Sequence, residues 1–263
     1  MTIRRVALLV LGWSALLVLL APLVVSTWVS FSPDSFLTPP TKEWSLRWFS
    51  AFFADRRWVS ALWRSLATAA TASLVALAFG GPAAYAVARH RFAGRALLAG
   101  SILAPACVPP VVLGMGLLPL LYAARLQGHP AGLVLAHGLL GMPVVYLVLR
   151  THLDQTSPDL ELAARGLGAT PGQTARRITL PLALPATLAG AVAAFVGSLN
   201  EAMVTLFLAT PATETLPAVI WPQLRYAASP LVAVASCVSV AVTCLGAVSI
   251  MAWIARARHQ KGE

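Results

Sequence analysis

Residues 6–28 read VALLVLGWSALLVLLAPLVVSTW, a run without a single Asp, Glu, Lys or Arg. A helix needs about 20 such residues to cross the hydrocarbon core of a bilayer. Outward from this run, five more stretches have the same character: Ser65–Ala88, Leu97–Tyr122, Ala131–Leu149, Leu184–Leu208 and Leu231–Ala255. Only one of them carries a charge, Glu201 in Leu184–Leu208. Of the 263 residues, 58% are hydrophobic and 11% charged, against roughly 25% charged in a soluble domain. So few charges cannot cover a water-facing surface. They must gather in loops between long uncharged stretches. The expectation is an all-α polytopic membrane protein with six transmembrane helices, forming one domain over residues 1–263.

The first run follows Arg4 and Arg5, as the core of a secretory signal would. It is longer than the roughly 7–15 residues of such a core, and no clear small-x-small cleavage site ends it. It is read as a retained first span.

Orientation follows from Lys and Arg. The N-terminus, residues 89–96, residues 150–183 and the C-terminal tail lie on one side, with 12 of the 19 basic residues: Arg4, Arg5, Arg89, Arg91, Arg95, Arg150, Arg165, Arg176, Arg177, Arg256, Arg258 and Lys261. The other side holds Lys42, Arg47, Arg56, Arg57, Arg64, Arg125 and Arg225. The richer side is expected to be cytoplasmic, with both termini inside. The net charge of +10 is explained by this topology. The charges form no continuous stripe of the kind nucleic-acid binding requires.

Cys107, Cys237 and Cys244 all fall in apolar stretches. An odd number away from loops argues against a disulfide framework, and they are read as small apolar core residues. No His/Cys cluster points to a metal, and His137 reads as a hydrogen-bonded packing histidine. Trp44, Trp48 and Phe52, spaced i, i+4, i+8, predict one face of an interfacial helix, either an anchor or a contact surface for an external partner. Pro105, Pro109, Pro110 and Pro119 in the third span, with Gly141 and Pro143 in the fourth, predict bent helices. Freed backbone groups in a membrane are tolerated where protein or a cavity satisfies them, so this pair is expected either to line a cavity or to be kinked for packing alone.

Residues 150–183 form the longest cytoplasmic connection, and 150–181 read RTHLDQTSPDLELAARGLGATPGQTARRITLP. Two short helices are predicted. The first has Ser157 as N-cap, Pro158 at the first helical position and Asp159 and Glu161 near the positive dipole end. Leu160, Ala163, Ala164 and Leu167 form its apolar stripe, and Gly166 and Gly168 stop it. The second starts at Thr170, with Pro171 next and Gln173 completing a T-x-x-Q capping box. Arg176 and Arg177 close it, and Pro181 and Pro185 lead back into the membrane.

This loop resembles the EAA signature of ABC importer permeases, which reads E-A-A, three residues, Gly, nine residues, Ile, one residue, Leu-Pro. The chain has Leu162-Ala163-Ala164, then Gly168, Ile178 and Leu180-Pro181 at that spacing. It departs in having Leu162 where Glu is usual, while Glu161 matches a second acidic position seen in many members. The stretches SFSPDSFLTPPTKEWSLRWFSAFFADRRW, PPVVLGMGLLPLL and SLNEAMVTLFL also look like the polyamine (spermidine and putrescine) permease subgroup. The resemblance thus covers nearly the whole chain.

The resemblance implies the type I importer permease fold in a bacterial inner membrane. Its partners would be a dimer of ATPase subunits, a second and related permease chain, and an external solute-binding protein. Thr170–Arg177 would be the coupling helix docked in an ATPase groove, and the preceding helix through Gly168 its support. The coupling set is then Glu161, Ala163, Ala164, Gly168, Thr170, Pro171, Gln173, Arg176, Arg177, Ile178, Leu180 and Pro181. The chain has no G-x-x-x-x-G-K-[ST] loop to cradle a nucleotide, so no catalytic residue, cofactor or metal is expected in it. Ser198, Asn200 and Glu201 form a polar cluster in the fifth span. An acidic residue inside a membrane is costly and faces a bundle interior or cavity. Glu201 either lines a pathway for a cationic solute or bonds a neighbouring helix or the partner permease. A secondary carrier or channel is the other functional reading, but one intramembrane Glu and no evident repeat count against it. Opines, amino-acid derivatives and phosphonates are also solutes of the subgroup.

Overall fold

The computed structural model describes residues 3–36, 39, 43–226 and 229–259. Lys42 and Lys261, counted among the topology charges, lie outside them. The described residues are almost all helical, with no strand among them. In chain order they form α1 (Ile3–Val29), α2 (Arg47–Ala54), α3 (Arg56–Arg89), α4 (Arg95–Cys107), α5 (Pro110–Ala123), α6 (Pro130–Gln155), α7 (Asp159–Gly166), α8 (Pro171–Thr174), a π-turn (Ala175–Thr179), α9 (Leu180–Asn200), α10 (Met203–Leu208), α11 (Leu216–Tyr226) and α12 (Pro230–His259). Four helical stretches are long and apolar enough to cross a membrane: Leu8–Val29, Arg56–Arg89, Pro130–Gln155 and Pro171–Asn200. The pair α4 and α5 passes the same test only when taken together, and α12 contributes a shorter apolar stretch, Pro230–Gly246.

Several boundaries differ from those expected, each for a local reason. The third stretch is not one helix but two, bent by 109°. Val108 and Pro109 are extended (ψ 128° and 134°), because a proline clashes with a helical conformation in the residue before it and Pro109 is itself followed by Pro110. The fourth span, in contrast, is uninterrupted through the fully buried Pro143. The fifth apolar stretch breaks at Glu201, whose ψ of 112° ends α9. There its carboxylate Oε1 accepts the Val204 N–H at 2.9 Å, which starts α10. The second span begins nine residues before Ser65, at Arg56. Asp55 Oδ1 accepts the Arg57 N–H at 2.7 Å, and the helix simply continues past its charged first turns.

The chain divides into two compact units. In the first, Met1–Ser60 with Val219–Cys244, Leu8–Val29 of α1 buries none of its most apolar window against the chain. Helices apolar all round belong in lipid or against other helices. Trp44 does not lie on a helical face with Trp48 and Phe52, because α2 starts only at Arg47. Trp44 instead meets Phe31 (ring centroids 5.6 Å), which also meets Phe49 (5.2 Å). Trp48 donates its indole N–H to the Asp34 carbonyl at 2.9 Å, and Phe52 is fully buried beside Trp58.

In the second unit, Ala61–Ala218 with Leu245–Glu263, one core joins three helices. Ala76, Ala83 and Ala84 of α3 meet Val145, Tyr146 and Leu149 of α6 and Ala183, Ala186 and Ala194 of α9. Small side chains let helix backbones approach closely, the usual packing mode without a hydrophobic driving force. A second core joins Leu113 and Leu121 of α5, Leu133 and Ala136 of α6, and Val204 and Leu208 of α10. The cysteines are not core residues: Cys107 and Cys244 are exposed and Cys237 is partly buried. They sit on apolar helices but on faces the chain itself leaves uncovered.

Candidate functional site

The 150–183 segment folds from local signals. Pro158, not Ser157, is the N-cap of α7, one residue later than expected. Ser157 still serves the helix start, since its Oγ accepts the Asp159 N–H at 3.2 Å. At the other end, Gly168 takes φ +90°. Its N–H donates to the Arg165 carbonyl and the Ala169 N–H donates to the Ala164 carbonyl, both at 3.0 Å. That pair of bonds is a Schellman stop. Thr170 Oγ1 then accepts the Gln173 N–H at 3.3 Å, and Gln173 Oε1 accepts the Thr170 N–H at 2.8 Å. The capping box is complete, with Pro171 in the first turn.

The second helix of the loop is not a separate one. Residues 171–200 run on as one helix through the π-turn. Leu180 donates its N–H to the Ala175 carbonyl, five residues back. Pro181 has no N–H to give the Arg177 carbonyl, and widening the helix by one residue just before it absorbs the mismatch. Arg176 and Arg177 therefore lie within a continuous helix rather than at a C-terminus. Both are exposed.

The exposed surface of the segment is apolar where expected. Leu160 is 52% exposed, and Leu167 is 91% exposed. Ala163 is exposed and Ala164 half-buried; Leu162, Leu180 and Pro181 are exposed, and Ile178 is half-buried. Replacing Thr170 with Ala removes the N-cap acceptor, a loss of about 1 kcal/mol of helix-start stability. The expected result is a capping turn that exchanges its amide hydrogens several-fold faster at Gln173, with α7 unchanged, as hydrogen-exchange mass spectrometry would report.

Glu161 does not face outward. Its Oε1 accepts a hydrogen bond from Arg89 Nε at 2.9 Å, with only 15% of its side chain exposed and 10% of the arginine's. Arg89 Nη1 also donates to the Leu153 carbonyl at 2.8 Å, and Nη2 to the Thr156 carbonyl at 3.1 Å. His152 Nε2 bonds the Leu182 carbonyl at 3.0 Å. Residues of α6, α7, the π-turn and the start of α9 meet here in a narrow seam. The sequence counted Arg89 only as a topology charge, and its partner is 72 residues away.

The second candidate region is the break at Glu201. A cleft of about 200 Å³ lies between α6 and α9, walled by His137, Gly141, Ala194, Gly197, Ser198 and Glu201 among others. This cleft is lined by the fourth and fifth spans, and no residue of the third borders it. Small residues on both helices leave the room. His137 is buried, with Nδ1 2.7 Å from Ser198 Oγ and Nε2 2.9 Å from Thr205 Oγ1. It is held on both nitrogens, as a packing histidine should be, and Thr205 is a partner that sequence reading missed. Asn200 does not join the cluster: it is exposed and donates to the Val196 carbonyl one turn back at 2.9 Å. Ser198 and Glu201 therefore share the cleft without it. Among the described residues no His, Cys, Asp and Glu group could hold a metal ion.

Known proteins resemble the chain both in sequence and in fold. Residues 76–260 match the family described as "Binding-protein-dependent transport system inner membrane component". The chain is 34% identical over 265 aligned positions to the putrescine transport system permease protein PotI of Escherichia coli strain K12, covering 98% of this chain and 92% of that protein. It is 28% identical to the spermidine/putrescine transport system permease protein PotC of Haemophilus influenzae, over 80% of this chain and 81% of the other. In fold it is similar to a chain of a bacterial alginate ABC transporter solved with a periplasmic protein bound to an alginate pentasaccharide (TM-score 0.72, 16% identity, 92% of each chain).

Proposed function

The chain belongs to the binding-protein-dependent transport system inner membrane components, and from that premise we propose that the solute it passes is a polyamine or a related small organic cation. It is a permease subunit of an ABC importer, all-helical and membrane-embedded. ATP is hydrolysed on separate subunits, which dock on the exposed 159–177 segment. A second, related permease completes the pathway, and an external binding protein delivers the solute. Both termini lie in the cytoplasm, and α12 and the bent α4–α5 pair each cross once to complete six spans of a single permease domain.

The observation that carries the cation is the Glu201 carboxylate on the wall of the 200 Å³ cleft. One of its oxygens caps α10. A charge held at a membrane-embedded cavity favours an opposite charge there. The overall likeness to PotI supports the same solute class.

Glu201→Gln tests it cleanly, because the amide oxygen can still accept the Val204 N–H and keep the helix break. A charge-assisted contact is worth about 1.5–3 kcal/mol, so ATP-driven uptake of putrescine into proteoliposomes should fall roughly ten- to hundredfold at saturating binding protein. Unchanged uptake would mean that Glu201 serves only as a cap.

A further inference from the structure

We infer that residues 64–89 of α3 are a transmission rod gripped at both ends by arginines: Arg89 holds the 150–166 region at one end, and Arg64 holds the 209–215 loop at the other. This rests on the proposed docking of the ATPase subunits on the 159–177 segment. Arg64 Nε donates to the Glu214 carbonyl at 2.9 Å, and its Nη1 donates to the Ala212 carbonyl at 3.2 Å. Next to it, Ser65 Oγ accepts the Leu216 N–H at 2.7 Å. The loop between α10 and α11 is thus fastened to the third turn of α3. Arg89, in the last turn of α3, is fastened to α7 through Glu161 and to the last carbonyls of α6. The Leu153 carbonyl has only a shared 3.3 Å bond from the Thr156 N–H, so the guanidinium fork supplies a helix end and a carboxylate together, a geometry an ammonium cannot reproduce.

Between the two grips, α3 is unbroken. At 1.5 Å per residue, Arg64 and Arg89 stand roughly 38 Å apart along it, more than the roughly 30 Å of a hydrocarbon core. The grips therefore sit at opposite membrane faces. Displacing α7 must either carry α3 with it or break an ion pair that is mostly shielded from water, and displacing the end of α6 must likewise break two hydrogen bonds to the same arginine. Movement of the 209–215 loop acts on the other end in the same way. The continuous helix from Pro171 to Asn200 gives the docking segment one route into the membrane, and Arg89 gives it a second, through a different span.

Coupling between distant sites is a shared free energy and is reciprocal. The test is ATP hydrolysis by the complete transporter in proteoliposomes, with and without solute-loaded binding protein, for Arg64→Ala, Arg89→Ala and the double variant. Coupling free energies correspond to about 5–150-fold effects, so each single variant should lose most of the stimulation, by about tenfold, while basal hydrolysis and the co-purified ATPase stay unchanged. The double variant should lose no more than either single one, because both interrupt the same rod. Should Arg89→Ala not assemble, Arg89→Lys takes its place, since an ammonium keeps the charge but cannot hold Glu161 and both carbonyls at once. Additive losses, or stimulation that survives either substitution, would overturn the rod. If the wild-type chain co-purifies with no ATPase, it is the docking reading that fails instead.

Discussion

Gly168→Pro abolishes uptake while leaving the chain inserted in the membrane at normal levels. The position has open space around it, with no atom within 4 Å of where a Cβ would stand, so crowding is not the cause. The cause is backbone geometry. Gly168 sits at φ +90°, and proline is locked near −65°. Proline also removes the N–H that closes on the Arg165 carbonyl. It further disfavours the near-helical conformation of Leu167 (φ −85°, ψ 10°) just before it. All three effects fall on the turn that aims Thr170 and the capping box back toward the spans. Gly168→Ala separates the terms: it keeps the N–H and meets only the left-handed penalty of about 1–2 kcal/mol. Partial uptake from Gly168→Ala and none from Gly168→Pro, at equal membrane abundance, is the expected order. Wild-type uptake from the proline variant would remove the 159–177 segment from the coupling mechanism.

The same turn shows what can be read from sequence. The Schellman stop and the capping box are decided within a few residues, by a glycine, a threonine and a glutamine whose spacing alone determines their partners. The membrane class is as directly legible, because apolar runs separated by charged loops leave no other solvent. The break at Glu201 was hidden for the opposite reason. No glycine or proline marks it, and the run from Leu184 to Leu208 is apolar on both sides. It forms because a carboxylate in a poorly solvated place takes a backbone N–H it can reach, here that of Val204, at the expense of helix continuity. The π-turn was hidden in the same manner: Arg176 and Arg177 read as a helix end, yet one widened turn before Pro181 lets the helix pass. Arg89 could not be found at all without the fold, since three acceptors far along the chain give it its place.

The packing of α3 on α6 gives the sharpest expected contrast, from two neighbouring glycines and one substitution. A Cβ on Gly80 would stand 2.9 Å from the Met142 carbonyl oxygen and 3.2 Å from Val145 Cβ. Neither is the free end of a flexible side chain, so the helices themselves must separate. That separation strains the His137 bonds to Ser198 and Thr205, which tie α6 to α9 and α10. Overpacking of this kind costs about 1–3 kcal/mol for a small addition. A Cβ on Gly81, one residue on, would meet only Leu149 Cδ1 at 3.8 Å, an ordinary contact. There the gain in helix propensity, up to about 1 kcal/mol, is unopposed. Thermal unfolding of the purified transporter in detergent should therefore place Gly80→Ala below wild type and Gly81→Ala at or above it. Gly80→Leu should not survive extraction as a monodisperse complex. Equal shifts at the two positions would mean that α3 and α6 do not meet at the glycine face, and the cleft beside Glu201, which depends on where α6 stands, would have to be redrawn.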